Sequence, residues 1–472
     1  MNWSALRPSF LTLLLALLSA CASIDTSKVL SQTQQDVAPL SNTLLQLAST
    51  PEQVAQRSAA AQRLLEQPLQ QADAVALAGL NSPALQALLA RAMADASHAA
   101  QQGRVANPRL GLEWSTLLDE TEIARRISFG LHDLVSLPQR QRMAANAVQQ
   151  VQLQLSMDVV EHISVVRQAW VMAVAAQEAA QYAQQVQEAA GIGAELARRM
   201  QSVGNVNKLQ AARQQLWYAQ ATAQLARDQD EAQSRREVLV RALGLDSVQT
   251  QALRLPARLP EVPAAPRQFD QAMAQAWRMR LDLRMAQAAW DGAQQARNLG
   301  QWTSRGEVEL GLRNDRVQGA DGSNTRQGVE LGLVLPLFDD GSLRRAGLDA
   351  RSLALAQQLQ ATERQAASQL RESYAHYQSA HALARRYRDE LLPLRKTMSE
   401  ETLLRYNGMQ VSVFDLLLDA QEQITLVRAA LAAQQQFWLA DAALQAALLG
   451  KPLASVAGMA QPIAQGANDA GH

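Results

Sequence analysis

Downstream of Leu137-Pro138-Gln139-Arg140 the apolar residues fall at Val148, Val151, Leu155, Val159, Ile163, Val166 and Trp170, in steps of three or four. That is the period of an amphipathic helix. No second proline interrupts the run before Asn205, and Gly191 and Gly193 are its only glycines ahead of Gly204. Such a helix would be roughly 90 Å long, far beyond the usual 8–20 residues or so of a globular helix. Spans of this kind belong to coiled coils, membrane bundles or helical tunnels. Val203-Gly204-Asn205 predicts a tight reversal, followed by a returning helix from about Lys208 to Leu243 that Gly244 ends.

Ahead of the long helix the period changes to two. Leu110, Leu112 and Trp114 alternate with Gly111, Glu113 and Ser115, and Ile127, Phe129 and Leu131 alternate with Ser128, Gly130 and His132. This predicts a strand pair over about 107–117 and 122–137. Asn107-Pro108 separates it from a helical segment at about 73–103 that has Asn81-Ser82-Pro83 inside it. Residues 22–72 are Gln-, Ser- and Thr-rich and read as an extended arm with one short helix.

The plan then repeats. Pro256, Pro260, Pro263 and Pro266 mark a linker over 246–269. A helix is predicted from about Asp270 to Gln301, strands at about 305–318 and 325–337 joined by the polar loop Gly319–Thr325, and a second long helix from Ser342 to Arg405, interrupted at Pro393. A reversal at Tyr406-Asn407-Gly408-Met409 leads into a last helix, Ser412 to Leu449, and an Ala-, Gly- and Pro-rich tail over 451–472. Pro336 follows Pro138 by 198 residues, as Leu281 follows Pro83, and Gly408 follows Gly204 by 204. Agreement of this kind points to an internal duplication, with repeats at 73–245 and 270–450.

Composition narrows the function. The 472 residues are 48% hydrophobic but only 4% aromatic, and formal net charge is zero, which argues against nucleic acid as a partner. The single cysteine, Cys21, has no partner for a disulfide or a thiolate metal site. It follows Arg7, an apolar run from Phe10 to Leu18, and Leu18-Ser19-Ala20, an arrangement that reads as a secretory signal over 1–20. Leu-Ser-Ala-Cys resembles the bacterial lipoprotein box, which implies acylation of Cys21, palmitate included, and a lipid-anchored arm over 21–72. Ala22 in place of Asp then implies sorting to the outer membrane. Beyond the signal no run of eighteen apolar residues occurs, so a membrane would be crossed by strands rather than a helix. Four strands cannot close a barrel, and open edges in lipid leave backbone groups unpaired. Three chains would supply twelve strands and leave room for a passage.

The order helix, strand, strand, long helix, turn, helix, given twice, resembles the TolC-type outer membrane efflux family, including its lipid-anchored members. The carriers are Asn107-Pro108-Arg109-Leu110, Gly204-Asn205-Val206-Asn207-Lys208-Leu209, Leu335-Pro336-Leu337-Phe338-Asp339-Asp340-Gly341 with Arg344-Arg345, and Arg405-Tyr406-Asn407-Gly408 leading to Asp419-Ala420-Gln421. The resemblance implies a mostly α fold with a small transmembrane β part. Long helical hairpins would form an α-barrel tunnel in the periplasm, and four strands per chain would join a 12-stranded β-barrel in a homotrimer. It also implies a periplasmic adaptor docked at the helix turns, an inner membrane pump, and outer membrane lipids as surroundings.

By the same resemblance, Asp415 and Asp419 would ring the narrow end and select cations. Asp-Leu-Leu-Leu-Asp is one residue longer than the family's usual spacing, so Asp419 is the safer match. The competing reading is a solvated helix start, where acids are favoured anyway. Arg405 and Tyr406 would join gate-locking contacts. Gly204, Val206, Leu209, Gly408, Met409 and Val411 would form the docking tips, or equally two plain turns. The six histidines lack metal-ligand spacing, and no nucleophile elbow, phosphate loop or metalloprotease motif appears. No enzyme activity, cofactor or metal is expected beyond the lipid on Cys21. The expected role is the outer membrane channel of a tripartite efflux system for small toxic compounds or metal ions. A type I protein secretion duct and, in another class, a periplasmic coiled-coil scaffold lipoprotein remain alternatives.

Overall fold

The structure, a computed structural model, describes residues 28–41, 45–117, 120–268, 277–303, 308–319, 322–334 and 337–451. The signal segment with Cys21, Pro336 and nearly all of the tail lie outside the described residues. In chain order the helices are α1 (Lys28–Val37), α2 (Pro51–Leu64), α3 (Gln71–Asn81) and α4 (Pro83–Gln101). Strands β1 (Arg109–Leu117) and β2 (Glu120–Gly130) lead to α5 (Leu131–Ser202), α6 (Lys208–Leu243) and the short α7 (Ser247–Ala252). The second pass has α8 (Leu281–Thr303), β3 (Val308–Gly319), β4 (Gly322–Leu333), α9 (Ser342–Arg386), a π-turn (Tyr387–Leu391), α10 (Leu392–Asn407) and α11 (Val413–Leu448). The chain gathers into two compact units, each drawing segments from both sequence halves.

The first unit holds residues 89–155 and 283–364, with the sheet. Its four antiparallel strands run in the order β1-β2-β3-β4, so β1 and β4 are its edge strands among the described residues. Cross-strand partners share a face, and the register sorts the chemistry cleanly. Leu110, Ile127, Leu312 and Val329 stand opposite one another as one row, and Phe129, Leu310 and Leu331 form the next. The other face carries the carboxylates Glu113, Glu120, Glu122, Glu309, Asp315 and Glu330, with Arg126 paired to Glu330 at 3.1 Å and Arg313 to Asp315 at 2.8 Å. The apolar face is exposed: Leu110, Leu112, Trp114, Leu312 and Val329 all stand open, as do Glu113, Arg126 and Glu330 on the polar face.

The arm over 22–72, expected to hold one short helix, holds α1 and α2, and the boundaries of β2, α5 and β4 differ from the sequence expectation. Strand β2 ends at Gly130 and not near residue 137, and the long helix starts at Leu131 with Pro138 inside its second or third turn. Leu131, Leu134 and Val135 already follow the helical period. Arg140 secures the start, pairing with Asp133 at 3.1 Å and donating to the carbonyls of Gln102 and Arg104. Strand β4 begins at Gly322, inside the stretch expected as a loop, and ends at Leu333.

The second unit holds residues 34–88, 156–282 and 365 onward. The predicted helix at 73–103 is broken at Ser82 into α3 and α4, and the predicted helix at 270–301 is broken at Arg280, 198 residues later. Both breaks are held by a left-handed glycine that ends a hairpin helix. Gly244 (φ 68°) lies against Ser82 and Pro83, where a Cβ would come within 2.8 Å of the Ser82 backbone. Gly450 (φ 87°) lies against Asp282 in the same way. Asn81 donates to the Gly244 carbonyl at 2.8 Å. In the second half Arg280, 0% exposed, grips Asp282 through two hydrogen bonds and donates to the Ala447 carbonyl at 2.9 Å.

The proline-rich segment is fastened down. Its prolines offer no N–H, and long side chains supply partners for the remaining backbone groups: Leu259 N–H donates to Glu178 at 3.4 Å and Arg267 N–H to the Tyr377 hydroxyl at 3.2 Å. Trp438 Nε1 and Gln434 donate to Pro260, Arg388 to Val262, His381 Nε2 to Pro263, and Tyr374 to Arg267. Val262 enters a buried cluster with Leu370, Tyr377 and Phe437. The interruption expected at Pro393 falls one turn earlier. Proline cannot donate to the carbonyl of Asp389, and the helix widens instead into the π-turn, where Leu392 N–H reaches the Tyr387 carbonyl.

Among the described residues only α5 contains a stretch apolar enough, by length and composition, to cross a membrane, and 56% of that stretch is buried in the fold. This says nothing of the strands.

Candidate functional site: the helix turns and their acidic cluster

The two hairpin turns lie in the second unit, and both are Schellman closures. In the first, Asn205 N–H reaches the Met200 carbonyl at 2.9 Å and Gly204 N–H the Gln201 carbonyl at 3.0 Å, with Gly204 left-handed at φ 81°. In the second, Gln410 N–H reaches Arg405 at 2.8 Å and Met409 N–H reaches Tyr406 at 2.9 Å. The left-handed position there is Met409, at φ 57°, whereas Gly408 has φ −79°. The turns therefore correspond at an offset of 205, and the glycine sits one place early. A left-handed non-glycine residue costs about 1–2 kcal/mol.

The proposed tip residues separate. Met409 is 94% exposed, and Gly204, Leu209 and Gly408 are exposed as well. Val411 is half-buried. Val206 is only 7% exposed; it packs with Ala197 and Ala211 beside Met200 and Phe414. It holds the turn together and presents no surface. Asn207 caps α6 through the Gln210 N–H.

The acids separate too. Asp415 is the third residue of a capping box: Ser412 N–H and Oγ–H donate to its carboxylate at 2.8 and 2.7 Å, and its own N–H donates to Ser412 Oγ. Those hydrogen bonds hold its carboxyl below the usual range. Asp419, one turn on, faces the buried Arg395 at 2.8 Å and accepts from Ser399 Oγ. Arg395 also reaches Glu422 at 3.1 Å and the Asp419 carbonyl. Asp415 and Asp419 do not act as one pair within the chain. One closes the helix start, and the other is paired with an arginine across the hairpin that Glu422 shares. Arg405 pairs with Glu401 on its own helix at 3.1 Å, and Tyr406 is exposed.

Sequence reasoning missed Arg395, Ser399 and Glu422. A signal existed: in an antiparallel hairpin, residues equidistant from the turn face each other, and 395 and 419 are equidistant from Asn407. Among the described residues no group of histidine, cysteine or carboxylate side chains is placed to hold a metal.

This architecture has solved counterparts. The outer membrane protein VceC of Vibrio cholerae superposes with a TM-score of 0.67 at 16% identity, covering 83% of this chain and 96% of that one. CusC, solved for transmembrane channel formation, gives 0.66 at 16% identity over 82% and 94%. The MtrE outer membrane channel of Neisseria gonorrhoeae, in its open state, gives 0.66 at 15% over 80% and 88%. The chain has the fold of the TolC-type outer membrane channels. No protein-family model matches the chain, and no curated protein matches it in sequence. The likeness thus rests on how the elements are connected, with long helical hairpins and a four-stranded antiparallel sheet in each chain.

Proposed function

We propose that this chain is the outer membrane channel component of a tripartite efflux system, working as a homotrimer with a periplasmic adaptor and an inner membrane pump. The observation that carries the reading is the sheet: four described strands, with β1 and β4 at its edges, and one exposed apolar face. An exposed apolar sheet with open edges is unstable in water and in lipid alike until the edges pair. Pairing β4 of one copy with β1 of the next covers both edges and leaves the apolar face for hydrocarbon. The fold shared with outer membrane channels supports the same arrangement. The passage needs no covalent chemistry, so the role is transport and not catalysis.

In this reading Cys21 carries the lipid anchor, the long hairpins line a periplasmic tunnel, and small toxic compounds or metal ions are the cargo. The turns meet the adaptor through Met409, Leu209 and the exposed backbone at Gly204 and Gly408, with Val411 at the margin. Arg405 and Tyr406 are available to a neighbouring copy and would form the gate contacts. The cation-selecting ring belongs to Asp415 more than to Asp419, whose carboxylate is held against the buried Arg395. In planar bilayers Asp415→Ala should therefore weaken block by multivalent cations more than Asp419→Ala does. Equal effects would remove that assignment. Deletion of the protein should sensitise cells to a toxic compound or metal ion. Unchanged tolerance over a broad panel, with no related channel left in the strain, would count against export.

A further inference from the structure

The apolar face of the sheet is not apolar to its end. Reading the register from the helix end towards the hairpins, the rows are Val308–Leu333, then Phe129–Leu310–Leu331, then Leu110–Ile127–Leu312–Val329. The next row is Leu112–Arg125–Asn314–Gln327, and the one after it Trp114–Ile123–Arg316–Thr325. Thr116, Thr121, Gln318 and Ser323 close the face. Among the described residues Arg125 and Arg316 are the only charged ones on this face, both are exposed, and no described carboxylate shares it. Among the described residues neither makes an ion pair, whereas Arg126 and Arg313 on the opposite face do.

We infer that Arg125 and Arg316, beside Trp114 at the hairpin-end rim of the apolar face, bind the phosphomonoester headgroups of membrane lipid. The inference rests on the outer membrane reading above. The two arginines are diagonal neighbours on adjacent strands, about 7–8 Å apart at Cα, a span two guanidinium forks close over one phosphate. Asn314, Gln327 and Thr325 flank them with neutral hydrogen-bonding groups. The position fits a membrane boundary. From Leu333 to Thr325 the strand rises about 27 Å, or about 20 Å after a barrel's tilt of about 40°, near the apolar band of membrane barrels. Tryptophan belongs at that boundary. Arginine on a lipid face is costly at mid-membrane and nearly free at the interface. A pair of arginines that makes no ion pair among the described residues selects an anionic headgroup over a zwitterionic one.

The test is lipid binding to the full-length protein in detergent, read by native mass spectrometry with phosphatidic acid or phosphatidylcholine. The parent should retain phosphatidic acid in preference, and added salt should erode the preference. R125Q/R316Q should bind phosphatidic acid about thirty-fold more weakly, at about fivefold per arginine. R126Q/R326Q, with the same charge change on the opposite face, should stay within about twofold of the parent, and R125K/R316K should keep the preference. Equal binding of the two lipids by the parent would overturn the inference even if R125Q/R316Q fails to assemble. So would equal phosphatidic acid binding by parent and R125Q/R316Q, or displacement of the lipid by inorganic phosphate at equal concentration. Conductance of the same preparation separates the two readings: a conducting channel indifferent to lipid charge sinks this inference alone, and a protein that never inserts sinks the channel reading.

Discussion

At the scale of single residues, the second turn holds its strain in plain view. Met409 adopts a left-handed backbone that glycine takes freely, while its side chain points into solvent. Met409→Gly should raise the thermal midpoint, with a gain of about 1 kcal/mol; a lowered midpoint would show that the side chain makes stabilising contacts. Such strain persists where a side chain has a use, and the same variant should weaken adaptor binding. Arg395 is the opposite case. Removing it strands Asp419 behind a nearly closed surface, so Arg395→Ala should cost about 3 kcal/mol, read by chemical denaturation. Arg395→Ala with Asp419→Ala should recover part of that loss, because the carboxylate left over, Glu422, is exposed to solvent. The helix start at Ser412 was legible in the sequence. Arg395 was missed because a run such as Leu394-Arg395-Lys396 looks like any solvated helix face until positions equidistant from the turn are matched across the hairpin.

At the scale of elements, period and punctuation carried most of the information. The returning helix Lys208–Leu243 and the last helix were readable to within a residue or so because asparagine, serine and glycine mark their ends. The join between β2 and α5 was not. Ile127, Phe129 and Leu131 extend the two-residue alternation numerically, and only the spacing of Leu134 and Val135 shows the helix has begun. Pro138 misled for the same reason, since proline inside an early helical turn looks like a start signal. The π-turn was visible only as Pro393, its cause. Within it, Asp389 is held near a pKa of about 2, first by Arg388 and then by Arg385, both of which also grip the proline-rich segment. A carboxyl depressed on folding stabilises above its unfolded pKa of about 3.8 and loses that contribution as pH falls towards 2. Asp389→Asn should thus lower the thermal midpoint at pH 6, and the gap to the parent should close as pH drops through that window. A gap that persists unchanged at the acid end would mean the ion pairs are not its source. The two glycine abutments predict a further loss: Gly450→Ala would force a Cβ into Asp282 from a left-handed backbone and should destabilise more than an exposed Gly→Ala change elsewhere.

At the scale of the whole molecule, the duplication and the compact units cut the chain differently. Each sequence half contributes a hairpin of strands to one unit and a hairpin of helices to the other. That division was hidden from the sequence, where the repeat runs along the chain, while the connectivity itself was open to reading. Among the described residues β1 and β4 are the outer strands of the sheet, and in the proposed assembly a neighbouring copy covers both edges. The most direct measurement is therefore the purified full-length protein in planar lipid bilayers, with its mass in detergent determined on the same sample. A trimer that inserts and conducts ions in discrete steps is the predicted result. A monomer that never carries current would contradict the account at its centre.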